Sequence, residues 1–291
     1  MGKYKKESVL SIIALTLVAL TWGTSYAIVK DALNDIKPFT LMALRFGLST
    51  ILLSILFNKR LKKIKKKDIS QGSIIGIFMF LAFFTLVTGI SYTTASKQCF
   101  IVGAYVLIVP FLAWVVSKKK PDIYSIVGTV LATVGIGLLT INGSLSINKG
   151  DIISILCSIS FACHMIAIEY FSKESDPIIS TIMQFAVTAV LFIILTGVFE
   201  SFKFILTSKL TKSVSYLVIV TTVIAFVTQN IAQKYISVTS TALILTLEYT
   251  FGGIFAVIVL NETMTFQMIV GCIIVLIGIL IGESKCKFNK I

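Results

Sequence analysis

Three ionisable side chains, Arg45, His164 and Glu248, lie within stretches of sequence that are otherwise apolar. An ionised group in hydrocarbon is costly, so such a residue faces a cavity or a partner. Glu248 could bind a substrate amine or carry a proton, or it could be a structural carboxylate bonded to neighbouring helices. His164 could relay a proton, since imidazole changes charge near physiological pH, or it could stay neutral against a backbone carbonyl. Arg45 could hold a substrate carboxylate in a bidentate pair, or it could extend outward to lipid or a helix end.

Amide and aromatic side chains add a second polar layer to these apolar stretches. Gln229 and Gln233 are four residues apart and share one face of a helix, and Gln184 lies in another apolar stretch. Trp22 and Tyr26 are one helical turn apart, where they could line a cavity or pack against neighbours. Uncharged donors and acceptors suit a polar organic solute, although each amide could instead bond between helices. These amide and aromatic residues, together with the three ionisable residues, form the predicted substrate-binding set. Glu248 and His164 are also the candidates for proton coupling.

Patterns typical of catalysis or metal binding do not accompany these residues. The chain has one His, and its five Cys show no C-x-x-C spacing. The sequence contains no G-x-S-x-G motif, no phosphate-binding loop and no paired acidic motif. We therefore predict neither an enzyme nor a cofactor or metal site.

The elements that would position the candidate residues are membrane helices. Mean hydropathy is +0.97, and 56% of residues are hydrophobic against 13% charged, which does not suit a water-soluble domain of 291 residues. Apolar runs of about 20 residues recur, each long enough to cross hydrocarbon as a helix. The sequence predicts an all-α integral membrane protein with ten transmembrane helices at about 9–29, 39–57, 71–91, 96–116, 123–141, 151–171, 178–199, 214–233, 239–260 and 265–282.

The placement of charge explains the net charge of +13. If the N-terminus is cytoplasmic, 18 of the 26 basic residues lie on the cytoplasmic side, 7 lie outside, and Arg45 lies within a span. This excess fits the positive-inside rule and predicts that both termini are cytoplasmic. The cluster Lys59–Lys67 is expected to contact anionic lipid headgroups. A nucleic-acid surface is the disfavoured alternative, because no aromatic platform accompanies the cluster.

The two halves of the chain resemble each other. A shift of 143 positions places Tyr92 on Tyr235, and a shift of 139 places Pro38 on Pro177. An odd number of spans in each copy makes the second copy enter the membrane from the opposite side, which is the inverted-repeat plan of secondary transporters. We predict two inverted five-helix repeats, residues 1–146 and 147–291, that act by alternating access.

Small residues predict how the helices pack. Gly128 and Gly135 in the fifth span, like Gly271 and Gly278 in the tenth, are spaced by seven and share a helix face. Glycines on one face allow the backbone of a neighbouring helix to approach closely. Pro110 in the fourth span removes a backbone hydrogen bond and is expected to kink that helix, either as a hinge or to shape a cavity.

Several motifs carry a family resemblance. Trp22-Gly23-Thr24-Ser25-Tyr26 is similar to a W-G-x-x-aromatic motif, and Pro38 followed by Arg45 is similar to a P…R pattern entering a second span. Over about residues 8–282 the order of motifs resembles the EamA family of the drug/metabolite transporter superfamily. The chain departs from the family at Phe161-Ala162, where W-G would recur, and at Glu248-Tyr249, where many members carry Glu-Pro. Further similar stretches are Thr94–Lys97 through Pro110, Gly128–Gly137, Gly150-Asp151, Thr239–Glu248, and Asn261-Glu262 followed by Gly271.

The resemblance implies ten helices with cytoplasmic termini and movement of small metabolites, often amino acids and usually outward. We therefore predict a secondary-active exporter of a small polar, amino-acid-like metabolite in the plasma membrane, acting as a monomer or homodimer. A multidrug or organic-cation exporter is the alternative. A channel or a non-transporting membrane scaffold is disfavoured by the inverted repeat, because neither needs two access states.

Overall fold

A computed structural model describes residues 2–89, 91–93, 95–118, 120–140, 148–172, 174–260 and 265–284, with side chains except at 2–5, 26, 27, 30, 95–97, 140, 253 and 256–260. Every regular element in these ranges is a helix, which confirms the predicted all-helical chain for the described part. Eight helices are long and apolar enough to cross a membrane, and Ile123–Leu139 is a shorter apolar helix. The count of ten spans and the side on which the termini lie stay predictions.

The helices follow one another with short connections. In chain order they are α1 Gly2–Ala32, α2 Pro38–Leu56, α3 Asn58–Leu61, α4 Lys66–Gly89, α5 Ala95–Gly103, α6 Tyr105–Ser117, α7 Ile123–Thr140, α8 Lys149–Ser172, α9 Pro177–Phe199, α10 Ser208–Val218, a π-helical segment Ile219–Ile224, α11 Ala225–Ala232, α12 Val238–Leu245, α13 Leu247–Leu260 and α14 Phe266–Ser284.

Two of the predicted spans are interrupted. The predicted fourth span, 96–116, is α5 followed by α6, with the interruption at Ala104, whereas Pro110 lies six residues further on, inside α6. The predicted ninth span, 239–260, is α12 followed by α13, with the interruption at Thr246. At both points a backbone bond spans three residues instead of four, from Leu107 N to Ala104 O (3.0 Å) and from Tyr249 N to Thr246 O (3.2 Å). A shift of 143 positions places Ala104 on residue 247, next to the second interruption at Thr246. The two halves therefore share this break in the helix.

Helices of each half pack against helices of the other half. α1 packs against α13 and α11, while its counterpart α8 packs against α6 and α4. α2 packs against its own counterpart α9, and α7 against its counterpart α14. Each half therefore contributes helices to the surroundings of the other, as an interleaved pair of repeats requires.

Glycine determines how closely α7 and α14 approach. A Cβ atom on Gly128 would lie 2.6 Å from the carbonyl oxygen of Gly278, and one on Gly135 would lie 2.7 Å from that of Gly271. Cβ atoms in proteins are essentially never found within 3.0 Å of another heavy atom in this way. The backbones of the two helices are therefore in contact only because these positions are glycine. The four glycines of the predicted packing pattern thus face one another across one contact.

Two ends of the molecule can be distinguished. At the upper end, where α1, α4 and α9 finish, the Glu200 carboxylate accepts hydrogen bonds from Phe39 N (3.0 Å) and Thr40 N (2.9 Å), and so caps the N-terminus of α2. At the lower end, where α2, α8 and α11 finish, Arg60 Nη1 lies 2.6 Å from Asp176 Oδ2. Asp176 also caps α9 by accepting from Ile178 N at 2.8 Å. The two ends of α9 are therefore tied to the start of α2 and to α3, which follows α2.

Candidate functional site

A cavity of about 410 Å³ lies between the two halves. It extends to the upper end, because Leu33, which follows α1, and Thr93, which precedes α5, are among its lining residues. The wall is largely apolar and aromatic, with a few convergent polar groups, as in small-molecule sites generally. The residues that line it are Trp22, Ser25, Val29, Leu33, Met42, Arg45, Phe83, Leu86, Val87, Thr93, Gln98, Val102, Tyr105, Phe161, His164, Met165, Phe226, Gln229, Leu245, Glu248 and Tyr249.

Arg45 is fixed in the cavity wall by the π-helical segment. Its side chain is 4% exposed, and Nε donates to Thr222 Oγ1 at 2.6 Å. Nη2 donates to Thr221 Oγ1 at 3.1 Å and approaches Thr221 O at 3.4 Å. The guanidinium carbon also lies 5.2 Å from the centre of the Phe83 ring, within the range of a cation–π contact. Arg45 therefore presents a rigid positive charge that does not extend to lipid.

Trp22 is held by the same segment. Its Nε1 donates to Thr221 O at 2.8 Å, and its ring centre lies 5.1 Å from that of Phe226. In a π-helix the carbonyl oxygens are displaced from the usual α-helical ladder, which makes them available to side-chain donors. Thr221 and Thr222 were not among the predicted site residues. The signal that could have indicated them is two adjacent hydroxyl residues in an otherwise apolar run.

Glu248 enters the cavity just after the interruption of the predicted ninth span. A Cβ atom on Gly23 would lie 2.8 Å from Glu248 O, so α1 contacts α13 through the glycine of the W-G motif. Tyr105 and Tyr249 line the same cavity as Glu248. Gly103 makes room for the Tyr249 ring, because a Cβ atom there would lie 2.9 Å from it. Glu248 therefore shares the cavity with two phenol side chains.

His164 also lines the cavity, but two of the predicted amides lie behind the wall. His164 Nε2 and Gln184 Oε1 are 2.8 Å apart, and Gln184 is not itself a lining residue. Gln233 is likewise behind the wall, where its Nε2 donates to Met165 O at 3.1 Å. In this conformation Gln184 and Gln233 each hydrogen-bond to a lining residue from behind, and their role in substrate binding stays a prediction.

The structure thus brings Trp22, Arg45, His164, Gln229 and Glu248 together around one cavity. The predicted residue Tyr26 lies outside the described side chains. The other polar and aromatic lining residues lie outside the predicted substrate-binding set. These are Ser25, Thr93, Gln98, Tyr105, Tyr249, Phe83, Phe161 and Phe226.

A cavity with a few convergent polar and charged groups, placed between two interleaved helical halves, is the arrangement that membrane transporters use. Comparison with known proteins agrees. The model of the EamA-like transporter family matches the chain twice, over residues 9–141 and 148–282. The chain therefore belongs to the EamA-like transporter family, and it is an integral membrane transporter.

Individual relatives span nearly the whole chain. An uncharacterized transporter of Archaeoglobus fulgidus is 31% identical over 275 residues, covering 94% of this chain and 85% of that protein. The uncharacterized transporter YyaM of Bacillus subtilis is 25% identical over 283 residues, covering 92% of each. A solved crystal structure aligns with a TM-score of 0.78 at 15% identity, over 95% of this chain and 98% of the other, and this similarity supports the fold alone.

Proposed function

We propose that this transporter exports a small zwitterionic metabolite of the amino-acid class across the plasma membrane by alternating access. The observation that carries the proposal is that Arg45 and Glu248, which have opposite charge, line one cavity. Arg45 comes from α2 in the first half and Glu248 from α13 in the second, so a bound zwitterion would bridge the two halves. The cavity volume of about 410 Å³ lies near the small end of the range for ligand sites, which favours a metabolite over a bulky drug.

The wall supplies complementary groups for both ends of such a solute. The planar guanidinium of Arg45 is held in place by Thr221 and Thr222, so little rotamer entropy is lost when it binds a carboxylate. Glu248 would bind an ammonium group or exchange a proton with His164 as its relay partner. The charge pattern favours a cytoplasmic lower end, so the cavity in this conformation would open to the outside.

A transport assay tests the role of Glu248. A thermal-shift screen of purified protein against amino acids, nucleosides, polyamines and cationic drugs would first identify a ligand, since ligands that bind the folded state raise its melting temperature. Counterflow of that ligand in proteoliposomes would then compare wild type with Glu248→Gln. We expect loss of counterflow in this variant and normal counterflow in the control Glu7→Gln, which makes the same change away from the cavity. Normal transport by Glu248→Gln would refute the proposal.

An organic-cation exporter is the second candidate, because aromatic rings of Trp22, Phe161 and Tyr105 share the cavity with Glu248. The two functions differ in their need for Arg45. Transport of a zwitterion should be lost in both Arg45→Met and Glu248→Gln, whereas transport of an organic cation should survive Arg45→Met.

The proposed lipid contact of the Lys59–Lys67 cluster concerns only part of it. Arg60 pairs with Asp176, and Lys67 pairs with Glu174, so both are committed within the protein. Contact with anionic headgroups would therefore come from the other lysines of the cluster, namely Lys59, Lys62, Lys63, Lys65 and Lys66.

A further inference from the structure

Two buried amide oxygens on α11 and just after it have no hydrogen-bond partner among the described residues. They are Gln229 Oε1 and Gln233 Oε1, on side chains that are 2% and 3% exposed. An acceptor buried without a donor is unfavourable and calls for an explanation. The two residues are one helical turn apart, about 6 Å along the axis. Gln229 lines the cavity and Gln233 lies one turn nearer the lower end.

Apolar side chains close the space around Gln233 in this conformation. The cavity ends at Met165 and Leu245, which belong to a buried cluster that also contains Leu15 and Val18 of α1. Gln233 is attached to this barrier through the carbonyl of Met165. The polar side chains Gln229 and Gln233 therefore continue from the cavity toward the lower end, but apolar side chains block the space between them and that end.

Beyond Gln233, three cations from separate elements hold one turn. We name Glu174–Asp176, between α8 and α9, the latch turn. Lys234, which directly follows Gln233, donates to Ser175 O at 3.0 Å. Lys67 at the start of α4 pairs with Glu174, and Arg60 of α3 pairs with Asp176 at 2.6 Å. Because both ion pairs are partly exposed to solvent, each is weak enough to open and close.

The pKa shifts of Glu174 and Lys234 are consistent with these contacts at the latch turn. The hydrogen bond and charge of Lys67 lower the pKa of the Glu174 carboxyl, which keeps it ionised. Burial lowers the pKa of the Lys234 ammonium, so its charge is less favourable there than in water. The closed latch therefore combines favourable exposed pairs with one partly buried cation.

We propose that Gln229 and Gln233 line the inward half of the solute path, and that the latch turn, held by Arg60, Lys67 and Lys234, closes its lower end. The two unpaired acceptors would bind N–H or O–H groups of the passing solute once the latch opens. This inference rests on the proposed alternating-access function, since it requires a second conformation open at the lower end.

Thiol labelling tests the path without any substrate. Cysteine-free protein, with Cys99, Cys157, Cys163, Cys272 and Cys286 replaced by serine, would carry Gln233→Cys as a reporter in nanodiscs. The labelling rate with a charged, membrane-impermeant maleimide is then measured by mass spectrometry. We expect Lys67→Gln or Glu174→Gln to raise this rate about two- to fivefold, as loss of one exposed ion pair allows. The exchanged pair Lys67→Glu with Glu174→Lys should return the rate to its starting value.

Controls separate the latch from general loosening. Lys209→Gln breaks a comparable exposed pair with Asp31 (2.6 Å) at the upper end, and it should not accelerate labelling. Val18→Cys, within the apolar barrier, is a second reporter. Its labelling rate should rise in the same latch variants, and it replaces Gln233→Cys if Gln233→Cys does not fold. An unchanged rate in folded single variants, or an equal acceleration by Lys209→Gln, would overturn the proposal. Because labelling needs no solute, either result stands apart from the transport assay of Glu248→Gln.

Discussion

Replacing Thr222 by valine removes the acceptor that lies 2.6 Å from Arg45 Nε, with almost no change in side-chain size. Thr222 is 0% exposed and Arg45 is 4% exposed, so the lost hydrogen bond lies in a buried environment. A buried charged donor that loses its hydrogen bond costs about 1.5–3 kcal/mol. At about 2–4 °C per kcal/mol for a chain of this size class, the apparent melting temperature should fall by roughly 3–12 °C.

Arg45→Met should cost less stability than Thr222→Val, although it removes the larger group. It removes the buried charge together with its donors, and replacement of a buried charge by an apolar side chain is often close to neutral. Thr221 keeps its own donation to Leu217 O at 3.0 Å, whereas the Thr222 hydroxyl loses the donor that Arg45 provides. The double variant should therefore melt near Arg45→Met, with a coupling energy of about 1–3 kcal/mol.

The assay is thermal unfolding of the purified variants in one detergent, followed by a double-mutant cycle. Thr196→Val is the matched control, because Thr196 is equally buried but bonds only to Phe192 O within its own helix, at 2.9 Å. It should change stability by less than about 1 kcal/mol. Equal shifts for Thr222→Val and Thr196→Val, or additive costs in the double variant, would refute the reasoning about Arg45.

Four further variants test other parts of the structure. Gly135→Ala places a Cβ atom 2.7 Å from a backbone oxygen of α14, so separation of the helices should cost about 1–3 kcal/mol in a melting experiment. Gly47→Ala, where a Cβ atom meets nothing within 4 Å, should instead be neutral or stabilising by up to about 1 kcal/mol. Glu200→Gln weakens the cap of α2 and should cost about 1 kcal/mol, and unchanged melting would exclude that role. Lys67 lowers the folded-state pKa of Glu174. The contribution of Glu174 to folding stability is therefore present at neutral pH and is lost as pH falls through the lowered pKa. The difference in melting temperature between wild type and Glu174→Gln should vanish in acid.

Much of the framework could be predicted from the sequence because it depends on local composition. Apolar run lengths predict the helices, and Pro38 and Pro177 begin α2 and α9 as proline at a first helical position does. Among the cavity residues, Arg45 and Glu248 could be predicted because charge in an apolar stretch requires a polar environment.

The remaining features depend on contacts between distant segments. The fourth span is interrupted at Ala104 rather than at Pro110, and Tyr105, which follows the interruption, lines the cavity together with residues of the other half. Gln184 and Gln233 share the composition of lining residues, yet they lie one layer behind His164 and Met165. Which face of a helix meets a cavity is decided by its neighbours, and a single helical pattern carries no such information.

The glycine contact between α7 and α14 has a consequence for how the chain is made. The bare face at Gly128 and Gly135 is complete once α7 has been synthesised, but its partners Gly271 and Gly278 are synthesised only after the intervening helices α8 to α13. Throughout that interval the first half has a backbone-lined groove with no covering helix, so we expect the nascent chain to depend on lipid or an insertion factor there. Truncation before α14 should therefore leave a half-covered intermediate that is a target for membrane proteases, even though most of its helices are already in place.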